Sequence, residues 1–155
     1  MHSNEPLHIL LVDKSNDEAN RFISILRSAD FKVDAKLAST EEELQKFISM
    51  RNWDLLIAAQ NYRKIPAQNI FQRIRRAERD VPVILISAEF DPKAVIEGLR
   101  LGAVDVVVED QDQHLIKVVE RSLQNVYERR QSREWERRLS LAEKRAQHLM
   151  NISRL

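Results

Sequence analysis

The sequence predicts an α/β fold in which five parallel strands alternate with five helices. Three observations carry this: four short apolar runs at regular intervals, one run that alternates apolar and polar residues, and helix start signals between them.

The first run, His8 to Val12 (HILLV), is followed by Ser15 and Glu18 at the spacing of a capping box, in which two side chains satisfy amides that a helix leaves unpaired. A helix is predicted over 16–29. Next comes Phe31 to Leu37 (FKVDAKL). Val33, Ala35 and Leu37 are apolar while Lys32, Asp34 and Lys36 are polar, so this strand has one wet face and suits a sheet edge. Ser39 and Glu42 repeat the capping-box spacing and open a helix over 40–51. The third run is Leu55 to Ala59 (LLIAA), followed by a helix over 67–79, and the fourth is Val81 to Ser87 (VPVILIS). Asp91 then supplies an N-cap, Pro92 a first helical residue that needs no amide partner, and Gly102 a left-handed stop, which bounds a helix over 92–101. The fifth run is Val104 to Val108 (VDVVV), and a last helix begins near Gln111.

Apolar runs without alternation mark strands buried on both faces, as in parallel sheets covered by helices. With the half-wet second strand at an edge, the expected arrangement is a flavodoxin-like (βα)5 doubly wound sheet in the order 2-1-3-4-5, with an extended C-terminal helix. Half of a dinucleotide-binding fold would need a glycine fingerprint after the first strand. The two glycines, Gly98 and Gly102, lie elsewhere.

A length of 155 residues with 43% hydrophobic content suits one domain with an appendage and one sizeable core. There is no cysteine, which removes disulfides and thiolate metal sites and fits a reducing compartment, so a cytoplasmic location is expected. The stretch MHSNEPLHILLV lacks the pattern of a signal peptide, and no segment approaches the roughly 18 consecutive apolar residues of a membrane span. A soluble protein without membrane contact is expected. The net charge of +1 hides an asymmetry, because residues 125–155 carry eight Lys/Arg against four Asp/Glu.

From Gln111 onward there is neither Gly nor Pro, so nothing stops the last helix. Ile116, Val119, Leu123 and Val126 form one apolar stripe, the face expected to pack on the sheet. Trp135, Leu139, Ala142, Ala146 and Leu149 recur at alternating spacings of four and three, a heptad seam for a second helix. The two stripes do not share a phase, since the first continues onto Arg130 and Arg133. A phase change within Tyr127 to Glu134 implies that the helix leaves its domain there and meets something else. The expected organisation is a domain over 1–126 and a helical linker or coiled-coil extension over 127–155 that leads to a further module. The uncapped AEKRAQHLMNISRL reads as a piece cut from a longer protein.

The segment HILLVDKSNDEANRF resembles the start of bacterial response-regulator receiver (CheY-like) domains, whose first strand ends in two adjacent acids that bind magnesium. The resemblance runs from residue 7 to about 124. It places the first acid at Asp13 and the second at Lys14. The phosphate-accepting aspartate falls on Ala59 in WDLLIAAQNYRKIP, the hydroxyl ending the fourth strand on Ser87, and the lysine of the fifth strand on Glu109. Asp110 takes the place of the proline that follows, and the aromatic switch position falls on Val106.

What the resemblance implies is a degenerate phosphorylation site. Phosphoryl transfer needs an oxygen nucleophile, a cation to hold the phosphoryl oxygens and a positive group for the developing charge. Ala59 has no nucleophile, Lys14 replaces a metal-binding acid, and Glu109 replaces the charge-stabilising lysine. Gln60 and Asn61 do not substitute, because carboxamides are neither nucleophiles nor useful magnesium ligands without neighbouring carboxylates. No catalytic residue, metal or cofactor is expected. Two arrangements stay open for the exchanged charges: Lys14 and Glu109 pair across the empty site, or both point into water.

Other features carry less. His2, His8, His114 and His148 lie on different elements without metal-ligand spacing. Trp53 reads as a packed boundary residue. The arginines of ERRQSREWERR are interleaved with Glu128, Glu134 and Glu136, as on the solvated face of a paired helix, which argues against nucleic acid.

The expectation is a non-phosphorylatable receiver that serves a bacterial signalling protein as a dimerisation, protein-interaction and signal-relay module. It would form a homodimer, through the seam or the face built from the fourth helix, fifth strand and fifth helix, and meet other signalling proteins. A monomeric docking domain for a separate protein is the alternative. LAEKRAQHLMNISRL resembles the helix that introduces a PAS sensor domain. WDLLIA with the charged helical exit resembles the amino-terminal region of cyclic-di-GMP signalling proteins in the order receiver, PAS, GGDEF, EAL.

Overall fold

The apolar runs become a parallel sheet in the computed structural model, which describes residues 5–153, the side chains of 130, 152 and 153 apart. In chain order the elements are β1 (Leu7–Val12), α1 (Asn16–Ser28), β2 (Val33–Ala38), α2 (Glu41–Met50), β3 (Leu55–Ala59), α3 (Ala67–Arg76), β4 (Val83–Ser87), α4 (Pro92–Leu101), β5 (Asp105–Val108) and α5 (Asp112–Ser153). The strands lie in the order β2-β1-β3-β4-β5, and every neighbouring pair is parallel. This is the flavodoxin-like arrangement with β2 at an edge, where Asp34 and Lys36 face solvent.

Successive residues of each central strand enter opposite layers. Ile9, Leu11, Ile57 and Ile84 pack with Phe22 and Leu26 of α1 and with Leu115, Val118 and Val119 of α5. Leu10, Leu56, Leu85 and Val106 face the other way, onto Leu44 and Ile48 of α2 and Ile70, Phe71 and Ile74 of α3. Burying each such side chain contributes roughly 1.5–3 kcal/mol relative to leaving it in water.

The helix boundaries follow local chemistry. Ser15 Oγ accepts from the Glu18 amide at 3.4 Å, and the Asp91 carboxylate accepts from the Lys93 amide at 3.0 Å. Gly102 ends α4 with φ of 117°, the left-handed conformation that glycine tolerates best. The second cap is Thr40, not Ser39: its hydroxyl accepts from the Glu43 amide at 3.1 Å, because β2 runs on to Ala38 and α2 starts one residue later than expected. Helix α3 stops at Arg76, short of 79, because Glu78 turns with φ of 53°. Arg79 then donates to the carbonyls of Ile48 and Ser49, satisfying the end of α2. The fourth strand starts at Val83 because Pro82 can accept a ladder bond, from Leu56, but has no amide to donate.

Helix α4 comes close to the sheet through Gly98. A Cβ there would lie 2.6 Å from Val106 Cγ2 and 3.1 Å from Leu85 Cδ1.

The chain divides into two compact units after Leu123. In the first, the face of α5 that packs on the sheet is Leu115, Val118, Val119 and Ser122, all buried, while the expected Ile116 and Leu123 are only half-buried. Ser122 is buried because its hydroxyl donates to the Val118 carbonyl one turn back. The second unit continues α5, and its Trp135, Leu139, Leu141, Leu149 and Met150 are exposed. Among the described residues, no helix is long and apolar enough to cross a membrane.

Candidate functional site at the ends of the strands

The C-terminal ends of β1, β3 and β5 converge on one rim of the sheet, because the parallel register runs every strand the same way. Asp13 and Lys14 follow β1, Ala59 ends β3 and Glu109 follows β5. These four, with Glu18 and Tyr62, line a cavity of about 210 Å³. Ser87 ends β4 beside it but lines a neighbouring cleft, and its hydroxyl donates to the Glu89 carbonyl at 2.6 Å. Val106 lies in the opposite layer, buried against α4 at Gly98.

Asp13 is 8% exposed, and its carboxylate accepts from the Lys14 amide at 2.6 Å. Burial pushes its carboxyl above the usual range, more strongly than that amide and the Lys14 charge pull it down. Glu109 is raised as well. A side-chain hydrogen bond with Glu18 is the main cause, burial and the Glu18 and Asp13 charges act the same way, and Arg21 opposes them.

The charge-exchanged pair does not form. Among the described residues no ion pair joins Lys14 to Glu109; Lys14 is exposed, and Glu109 faces Glu18. The reason is α1. Capped at Ser15, it directs Glu18 toward Glu109 and Arg21 toward the end of β5, where Arg21 donates to the Glu109 carbonyl and sits 3.5 Å from the Asp112 carboxylate.

Glu18, Arg21, Tyr62 and Gln60 were not singled out as site residues by sequence reasoning. Glu18 looked like a cap partner only, and Arg21 has a signal only in hindsight, three residues on from Glu18 along the same helix. Tyr62 closes the cavity by donating to the Ser39 carbonyl at 2.6 Å, and Gln60 ties the end of β3 to the first turn of α4 by donating to the Ala94 carbonyl at 2.7 Å.

Chemically, the rim presents three carboxylates, from Asp13, Glu18 and Glu109, around the methyl group of Ala59. No group of three His, Asp or Glu side chains among the described residues has the geometry to hold a metal ion. His8 lies 3.4 Å from Asp34 and His114 3.3 Å from Asp105, on opposite edges of the sheet, and His2 falls outside the described residues. Trp53 is buried and donates to the Phe47 carbonyl at 2.7 Å, a packing role.

The family model of the response regulator receiver domain matches residues 9–120. The chain belongs to that family. The receiver is 31% identical over 101 residues to the "probable transcriptional regulator ycf27" of Cyanidium caldarium, an alignment covering 65% of this chain and 39% of that protein. Among solved structures it is similar to a response regulator from Thermotoga maritima, at 22% identity and a TM-score of 0.64 over 77% of this chain and 99% of that one. It is likewise similar to the N-terminal domain of a response regulator/sensory box/GGDEF 3-domain protein from Carboxydothermus hydrogenoformans, at 23% identity and 0.64 over 79% and 98%. A fusion carrying the trimeric coiled-coil segment of yeast Spc42 matches 97% of the receiver chain and 98% of its own at 22% identity and 0.69. At these identities the structural likenesses show the fold alone.

Proposed function

We propose that this receiver is a pseudo-receiver: a non-phosphorylatable domain of a bacterial signalling protein that acts as a dimerisation, protein-interaction and signal-relay module. The observation that carries the proposal is Ala59 at the end of β3, where it faces the cavity lined by Asp13, Lys14 and Glu109. A methyl group has no lone pair to attack phosphorus, and the three carboxyl groups that converge beside Lys14 do not favour a bound phosphoryl group. Degeneracy at Lys14, Glu109 and Val106, with the hydroxyl kept at Ser87, is part of the same reading, as are the absence of a cofactor and a cytoplasmic location.

In this reading residues 1–126 are the receiver and 127–155 a helical extension whose exposed Trp135, Leu139, Ala142, Ala146 and Leu149 pair two copies. A parent of the cyclic-di-GMP type belongs to the same reading, and rests on the resemblance of WDLLIA and the charged helical exit. A second reading, a monomeric docking domain, is favoured by Phe90, 74% exposed, and by the exposed Ile96 and Leu99 of α4.

Two measurements test the proposal. Incubation with magnesium and acetyl phosphate, followed by intact mass spectrometry, is expected to add no phosphoryl group; a stable adduct on the chain would refute the pseudo-receiver. Light scattering is expected to give a dimer that Leu139→Glu dissociates. A monomer at every concentration would favour the docking reading.

A further inference from the structure

We infer that the exposed seam of the second unit pairs with a second copy of this chain in parallel and in register, a refinement that rests on the dimer reading above. The charges beside the seam set the orientation. With Leu139 and Ala146 at a positions, Trp135, Ala142 and Leu149 fall at d. The flanking e positions then hold Glu136 and Glu143, and the g positions hold Arg138 and Arg145. Over these two heptads one flank is acidic and the other basic; the next e position, which Arg145 faces in a parallel pair, is Met150.

Orientation follows from which flanks meet. In a parallel pair each g residue faces the e residue five positions on in the other helix, so Arg138 meets Glu143 of the second copy, twice by symmetry. In an antiparallel pair, e flanks face e and g flanks face g. In one central register that sets Glu136 against Glu143 and Arg138 against Arg145 of the other copy; in the other, Glu143 meets Glu143 and Arg145 meets Arg145. Like charges held together exclude that arrangement more firmly than the opposite pairs favour the parallel one.

The single chain leaves these groups free to do so. All five seam residues are exposed, and among the described residues Glu136, Glu143 and Arg145 make no ion pair. Arg138 lies 3.3 Å from Glu134 within its own helix, with 70% of its side chain exposed, an exchange that costs little to break. Both chains thus enter the pair at one end, and their Leu149 residues meet at the other.

The test uses the full chain, whose lack of cysteine permits clean labelling. The mass is measured first by light scattering. A nitroxide on Gln131→Cys then reports the distance between like positions. A parallel pair places the two labels level, on the order of 20 Å or less apart given an interaxial distance of about 8–10 Å. An antiparallel pair centred on the seam offsets them by about 30–40 Å at 1.5 Å rise per residue. Arg138→Glu is expected to weaken dimerisation roughly fivefold or more, and Arg138→Glu with Glu143→Arg to restore it. Restoration separates the contact between copies from the pair with Glu134, which Glu143→Arg does not rebuild. A dimer with the long distance, or no restoration, overturns the parallel pairing and leaves the dimer standing. A monomer overturns both, and a trimer overturns the pairing of two.

Discussion

The first unit and the continuing helix solve the same problem in opposite ways. In the first, Leu10, Leu56 and Leu85 are sealed between helices and the sheet, whereas over residues 131–151 every apolar side chain is exposed. A helix with several exposed large apolar residues gains nothing from its own chain, so what orders it must come from local helix propensity or from another surface. The difference teaches where each unit's stability resides: in a buried core for one, in local helix propensity or a further surface for the other.

The largest expected effect separates the two. Leu56→Ala, at a site 1% exposed, is expected to cost about 2–5 kcal/mol in urea unfolding, while Leu139→Ala leaves that transition unmoved and lowers only the solution mass. If both substitutions shift the unfolding midpoint alike, the units are not energetically separate.

A smaller effect probes how tightly the first unit is packed. Gly98→Ala drives a methyl into Val106 and Leu85 and is expected to cost about 1–3 kcal/mol, partly recovered in the double variant Gly98→Ala, Val106→Ala. Additive losses would show that the clash is relieved elsewhere.

The smallest effect concerns the rim. Asp13 and Glu109 hold their protons more tightly in the folded chain than ordinary carboxyls do. The stability this contributes is complete below the ordinary carboxylate range and is lost as pH rises through the raised values. Thermal melts from acid toward neutral pH should therefore fall less steeply for Glu109→Gln than for the parent chain. Identical slopes would remove the Glu18–Glu109 contact from the account.

The strands, their order and α4 were legible in the sequence because apolar runs, an alternating edge and the Asp91–Pro92 and Gly102 signals all point one way. The misses arose where two readings fit equally well. Ser39 with Glu42 and Thr40 with Glu43 have the same spacing, and only the length of β2 decides between them. The sheet-facing stripe of α5 contains Ser122, a polar residue that breaks the apolar pattern unless its hydroxyl is known to bond Val118. At the rim, Asp13, Lys14, Ala59 and Glu109 were all legible as neighbours. The partner of Glu109 was not, because Glu18 arrives from the side of a helix whose rotation the strand ends do not reveal.

The seat of α4 has a kinetic consequence. A Cβ at Gly98 would meet Val106 of β5, Leu85 of β4 and, 3.4 Å away, Gln60 just beyond β3, while Gln60 also holds the Ala94 carbonyl. β4 and β5 flank α4 in the chain, but Gln60 and Ala94 are 34 residues apart, so the contact between them is expected to form late on the folding path. Substitutions at Gly98 or Gln60 should hasten unfolding and leave the folding rate nearly unchanged, which a denaturant chevron would read directly. On that expectation α4 is a latch that closes late and opens early.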